Sequence, residues 1–346
     1  MADEPNTPIG DGSPAVTPPA KNGAPSLGWR NCDRDDHAIR RLRDDLAANN
    51  GIRGLEIFEP GAIESIVRVF RRDGFVVVAD VLDDEQVGLL KAGCDEVIDE
   101  VMAVDPDRTG NRGSHRYSFG SVSVTRSQLH RPAWQMLIDL PTLSPIIAAI
   151  FGSDDYLFRG ASGDFCLPGA VGYQPLHADT RDWESPEKTP FFSFHDPRGI
   201  ITTRELPPPY ICANFLTIDA TPTNGATRQI AGSQHSREPF PTLEEEPDWM
   251  RLSAVCPAPA GAVQIRDVRA WHGGTPNLSD EVRSIPNVEF FAPWYRDPSV
   301  PSISYADHRQ LPERARQLTR FNVADSSEEL PVGTVLGFTP PTFQAV

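Results

Sequence analysis

The chain has 346 residues, with 32 Lys and Arg against 48 Asp and Glu, a formal net charge of −16, and it is 39% hydrophobic and 23% charged. This is the balance of a globular protein; its acidity disfavours a nucleic-acid partner, and no apolar run approaches the ~20 residues of a bilayer span. With 34 prolines and 26 glycines, short strands and long loops are favoured over a helical bundle. The opening MADEPNTPIGDG has neither a basic nor an apolar leader region, so no secretory signal is expected. Cys32, Cys94, Cys166, Cys212 and Cys256 are odd in number and widely spaced, which suits reduced thiols in a cytoplasmic chain.

Residues 1–30 are rich in Pro, Gly, Ala, Thr and Asn and read as a flexible tail. The remainder, 31–346, reads as one domain. Apolar stripes at Ile39, Leu42 and Leu46, then at Ile63, Ile66, Val67 and Phe70, predict two helices. Phe75–Val78 is a short β-branched run and predicts a strand. Asp83 with Gln86 forms a capping-box pattern opening a third helix, with Val87, Leu90, Cys94, Val97 and Val101 on one side. A further helical stretch spans about 134–151, interrupted at Pro141 and Pro145. From about Tyr156 the segments turn short and β-prone: 156–158, 211–218, 262–265 and 288–291. A helical layer over about 37–151 followed by a β-core over about 155–295 predicts a mainly β fold with flanking helices. The irregular stretch 180–209 between them has the length of a lid or binding loop.

Within Tyr173-Gln174-Pro175-Leu176-His177-Ala178-Asp179, an imidazole and a carboxylate stand two residues apart, on one face of an extended chain. A second imidazole, His272, precedes two glycines that permit close approach of backbone or ligand. Two histidines and one carboxylate make the facial set of non-haem Fe(II) oxygenases, with open coordination positions. No HExxH, GxSxG, P-loop or GxGxxG pattern competes. Arg283, eleven residues after His272, offers a planar fork suited to the distal carboxylate of a dicarboxylate cosubstrate.

These segments carry a family resemblance. Gly74-Phe75-Val76-Val77 before a capped helix, the 174–179 segment, Asn224-Gly225-Ala226-Thr227, Gly232-Ser233-Gln234-His235, and His272-Gly273-Gly274 with Arg283 together resemble the phytanoyl-CoA dioxygenase-like Fe(II)/2-oxoglutarate oxygenases over about 60–295. The resemblance implies a double-stranded β-helix, a jelly roll of cupin type. It implies iron held by His177, Asp179 and His272. It places the 2-oxoglutarate C5 carboxylate on Arg283, with Gln174 and Thr227 as further cosubstrate contacts. Gln174 matches neither ligand's face on ideal alternation, so a local bend is expected. One residue is inserted before His235 relative to the usual PGSH, and His235 reads as a turn residue. Related halogenases lack the carboxylate that Asp179 supplies, so hydroxylation or other C–H oxidation is implied, with O2 consumed and succinate and CO2 released.

Phe165, Tyr173, Trp183, Phe191 and Phe192 are candidates to line an apolar substrate pocket, while Arg181, Lys188, Arg198 and Arg204 offer a basic patch near it. His195 reads as a solvated loop residue. The acidic chain favours a small metabolite of specialised metabolism over an acyl-CoA. Two other readings stay open: a cupin-like binding protein that keeps a metal without turnover, and an iron oxygenase independent of 2-oxoglutarate. No residue names a protein partner, and a homodimer closing the 180–209 loop is left open.

Overall fold

The computed structural model describes residues 27–182, 193–194, 196–297 and 300–336. Most of the expected tail lies outside this range, as do Trp183, Lys188, Phe191, Phe192, His195 and the side chain of Arg181.

The helices are α1 (His37–Asn49), α2 (Ile63–Asp73), α3 (Asp84–Val104), α4 (Pro132–Gln135), α5 (Ser144–Phe151), α6 (Asp248–Arg251), α7 (Tyr305–Gln310) and α8 (Glu313–Leu318). The strands are β1 (Ile57–Phe58), β2 (Phe75–Val78), β3 (Arg116–Ser118), β4 (Leu157–Cys166), β5 (Arg181–Asp182), β6 (Ser193–Phe194), β7 (Tyr210–Phe215), β8 (Thr227–Gln229), β9 (Val263–Asp267), β10 (His272–Gly274) and β11 (Arg283–Phe291).

The expected capping box is present. Asp83 accepts from the Gln86 backbone N–H, and the Gln86 side chain accepts from that of Asp83, satisfying two of the donors a helix start leaves open. The expected 134–151 helix is two helices. Pro145 does not interrupt the second; it lies in its first turn, where a missing N–H costs nothing.

Seven strands form one mixed sheet in the order β1-β2-β9-β7-β11-β4-β3, antiparallel except for the parallel β1–β2 pair. The sheet therefore reaches outside the expected 155–295 core, taking in β1, β2 and β3 from the helical layer. Strand alternation divides its two faces. On one, Val263, Ile265, Ile211, Ala213, Val288, Phe290, Phe158 and Phe165 join Leu90, Val97, Val101 and Trp134 in the main hydrophobic core beneath the helices. The other face carries polar side chains, among them Gln264, Arg266, Asn214 and Arg283.

A second, small sheet pairs β10 with β8. It is extended by isolated bridges, His177 to His272 on one side and Arg228 to Ala254 on the other. No ladder closes the two sheets into a barrel among the described residues. Helices α7 and α8, beyond the expected core, were not anticipated. Leu311, Ala315 and Leu318 pack them onto the main core.

Candidate metal centre

His177 and His272 face each other across an antiparallel bridge, each backbone N–H donating to the other's carbonyl at 3.0 and 2.9 Å. Their rings lie 4.2 Å apart between centroids. In each ring Nδ1 lies 3.1 Å from the carbonyl two residues back, Pro175 for His177 and Ala270 for His272. That bond fixes the Nδ1–H tautomer and turns the Nε2 lone pair outward, the arrangement of a metal-binding imidazole.

Asp179 completes the group. Its Oδ1 lies 4.0 Å from His177 Nε2 and 3.6 Å from His272 Nε2, and the three donor atoms all fall within 4.8 Å of one another. Its Oδ2 accepts from Arg266 at 2.6 Å. One carboxylate oxygen is thereby tied to a cation and the other left to the imidazoles. Burial works against ionisation of Asp179, but His272, Arg266 and His177 overcome it and hold the carboxyl well below the usual range. Burial, then the Arg266 charge, holds His272 well below an ordinary imidazole. Both directions favour the metal-binding forms, anionic carboxylate and neutral ring. The His272 side chain is only 8% exposed, against 28% and 27% for His177 and Asp179. The group thus opens on one side, where further ligands could approach.

Arg283 begins β11 and is buried. Among the described residues it meets no acid. One terminal nitrogen lies 3.4 Å from the Asp164 carbonyl, and Nε has no partner. Arg116 of β3 is also buried and without an acid, donating instead to the Gly172 and Thr275 carbonyls. Cys166 pairs with both arginines across the sheet. Burial above all, with the Arg116 charge adding to it, draws the Arg283 pKa down. Two buried guanidiniums without a counter-ion are costly, and a carboxylate ligand would relieve that cost.

The elements between the triad and Arg283 come close together. A Cβ on Gly273 would lie 2.8 Å from the Gln174 backbone carbonyl, so only glycine lets these chains meet there, while one on Gly274 would lie 2.5 Å from the end of the Arg116 side chain. Gln174 does not continue a regular strand. Its Oε1 accepts from the Gly274 N–H at 3.1 Å, the local departure its spacing required. Thr227 pairs with Gly274, in the same row. In the next turn Gln234 is buried, and its amide donates to the Arg71 carbonyl, while His235 is exposed. The inserted residue thus ties the turn to α2.

Of the expected pocket residues, the two that are described, Phe165 and Tyr173, fall elsewhere. Phe165 is fully buried in the main core, stacked on Tyr117 at 4.7 Å and packed against Phe119 at 5.0 Å. Since Cys166 shares the Arg283 face, its neighbour Phe165 must point to the helices. Tyr173 lies against the Arg228 guanidinium at 5.2 Å, and Arg228 faces away from its strand neighbours Thr227 and Gln229. Of the expected basic patch, Arg198 pairs with Asp196 at 2.9 Å, and Arg204 donates to the Gln234 carbonyl. Arg116 and Arg266 carry no motif and were missed. Alternation in Val263-Gln264-Ile265-Arg266-Asp267, with polar residues every second place in an apolar strand, was the available signal for Arg266.

Comparison with solved structures finds AviO1 from Streptomyces viridochromogenes Tue57, 21% identical, covering 68% of this chain and 97% of that one with a TM-score of 0.46. It also finds the non-haem α-ketoglutarate-dependent carbocyclase SnoK from nogalamycin biosynthesis, 19% identical, covering 68% and 87% with a TM-score of 0.49. The epimerase SnoN, in complex with Fe3+, α-ketoglutarate and nogalamycin RO, is 18% identical, covering 67% and 84% with a TM-score of 0.45. The family model described as phytanoyl-CoA dioxygenase matches residues 70–285. That stretch holds all three members of the triad together with Arg283, and the chain belongs to the phytanoyl-CoA dioxygenase family.

Proposed function

We propose that the chain is an Fe(II)- and 2-oxoglutarate-dependent dioxygenase that hydroxylates, or otherwise oxidises at C–H, a small organic metabolite, releasing succinate and CO2. One observation carries this reading: three metal donors within 4.8 Å of one another share a fold with two buried guanidiniums that meet no acid among the described residues. His177, Asp179 and His272 would hold the iron, leaving positions for cosubstrate and O2. The bound iron would supply the oxygen-activating chemistry.

The chain's own residues supply position. The two Nδ1–H bonds to carbonyls keep the imidazoles aimed, and Arg266 restrains Asp179 to one free oxygen. Arg283 would take the distal carboxylate by its fork, with Gln174 and Thr227 alongside. The two sheets and the His177–His272 bridge support reading the core as a double-stranded β-helix. Contacts such as Arg43 Nε to the Leu278 carbonyl at 3.0 Å support one domain over 31–346, and Trp29, whose Nε1 donates to the Ser279 carbonyl at 3.0 Å, joins it from the expected tail. The 180–209 stretch serves as the lid in this reading, with Trp183 and Arg181 as its substrate-facing candidates. The net charge of −16 supports a small metabolite of specialised metabolism over a polyanionic thioester. The five free cysteines suit a reducing compartment, and among the described residues no helix is long and apolar enough to cross a membrane.

The test is turnover. With Fe(II), 2-oxoglutarate and O2, succinate should form in step with oxidised substrate, and His177→Ala should abolish both. Metal binding without 2-oxoglutarate affinity would instead indicate a binding protein. Oxygen uptake that ignores 2-oxoglutarate would indicate a different iron oxygenase.

A further inference from the structure

We propose that Gln229 is a cosubstrate-positioning residue whose side-chain amide hydrogen-bonds the keto-acid end of 2-oxoglutarate beside the metal. This deepens the reading above and rests on it.

Gln229 ends β8 and stands directly opposite His272 of β10. Opposed residues of an antiparallel pair present their side chains on one face, here the face on which the His272 ring meets Asp179. The row across the small sheet is therefore His177, His272, Gln229. Gln229 is 1% exposed, and neither its Oε1 nor its Nε2 has a hydrogen-bond partner among the described residues. A buried amide unpaired at both ends forfeits the bonds water would give it, and costs folding free energy. Such a group calls for an explanation, and a ligand that pairs with it supplies one.

The segment leading to Gln229 shows which ligand. A Cβ built on Gly225 would lie 3.5 Å from Arg283 Nε. Thr227 follows two residues later opposite Gly274, and Gln229 two later again opposite His272. One short stretch, on the order of 13 Å if extended, thus leads from the guanidinium to the metal ligand. A dicarboxylate with one end on Arg283 and the other at the triad would lie along it, with Gln229 at the metal end. Between them Arg228 faces the opposite way into an ion pair with Glu246, both side chains 0% exposed, which fixes the facing of 227 and 229. A neutral amide gives a carboxylate oxygen an N–H donor without adding charge beside Asp179.

The experiment uses the full chain under anaerobic conditions, with Fe(II) bound first and 2-oxoglutarate then titrated by the charge-transfer absorption of the ferrous keto-acid complex. Gln229→Leu should weaken 2-oxoglutarate about tenfold, the loss of one bond to a charged group, and shift the absorption band, while Fe(II) affinity holds. The metal-free variant should melt about 2 °C higher than wild type, because the unpaired amide is removed. Gln229→Met serves as a second variant should Leu pack badly. Unchanged 2-oxoglutarate affinity with an unmoved band overturns the proposal, including where only the KM for the oxidised substrate rises. Loss of Fe(II) affinity in step with 2-oxoglutarate also overturns it, since Gln229 would then merely support His272. A wild-type chain that binds Fe(II) but gives no such band refutes the underlying reading, and the proposal with it.

Discussion

Arg266 donates to Oδ2 of Asp179 at 2.6 Å, while Oδ1 of the same carboxylate lies 3.6 Å from His272 Nε2. A buried cation on β9 thus sets which oxygen of the acid is free. Supporting contacts of this kind are typically worth about 10- to 100-fold in metal affinity. Arg266→Met should weaken Fe(II) by that amount, read by anaerobic titration; unchanged affinity would remove Arg266 from the support of the centre.

Arg283 and Arg116 flank Cys166 across the sheet, and neither meets an acid among the described residues. A charge-assisted bond contributes roughly 1.5–3 kcal/mol. Arg283→Leu should therefore raise the KM for 2-oxoglutarate by about 100-fold. Arg116→Met should raise it about tenfold, because a point of charge is lost while the Arg283 fork remains. Equal effects from both would contradict this ranking.

The metal-free chain should lose stability in mild acid. His130 and His115 both have pKa values lowered by burial first, then by the neighbouring Arg131 and Arg108 charges respectively. A base whose folded pKa lies below its unfolded value of about 6.5 binds fewer protons in the native state. Its contribution is complete above that pH and is lost as pH falls through the folded pKa. Melting temperature should be flat above neutrality and decline below about pH 6.5, before most carboxylates titrate. His130→Gln should make that decline shallower, by at most about 1.4 kcal/mol per pH unit; an identical slope would locate the sensitivity elsewhere.

The Arg228–Glu246 pair is fully buried, and the Arg228 guanidinium also donates to the Gln174 carbonyl. Glu246→Ala strands a buried cation and should cost about 3–5 kcal/mol. Replacing both residues by apolar ones should recover most of it. A double-mutant cycle by denaturant melting measures the difference, and additive losses would argue against coupling.

What the sequence disclosed, and what it hid, follows from the range of each signal. His177 and Asp179 were legible because a two-residue spacing defines a shared face locally, and Asp83 with Gln86 because a capping box is complete within four residues. Phe165, a candidate for the pocket lining, packs instead in the main core, because its chain position does not show which face of the sheet it takes. That was settled by its partner strand, where Cys166 meets Arg283. Arg116 lies 167 residues before Arg283 in the chain, yet both flank Cys166, and only the sheet order reveals it. Gln229 was invisible for a similar reason. Its place beside His272 depends on a pairing across 43 residues, and its lack of a partner is a property of the packed interior. The extension of the main sheet by β1, β2 and β3 was hidden because all three strands sit among helices in the sequence.

The two unneutralised guanidiniums have a physiological corollary. Like charges set two strands apart, roughly 10 Å, repel each other, and any small dianion quiets them. The resting enzyme would then scavenge a dianion such as malonate from its buffer. The succinate left by each cycle would linger on the same cations, throttling the next cycle until it diffused away.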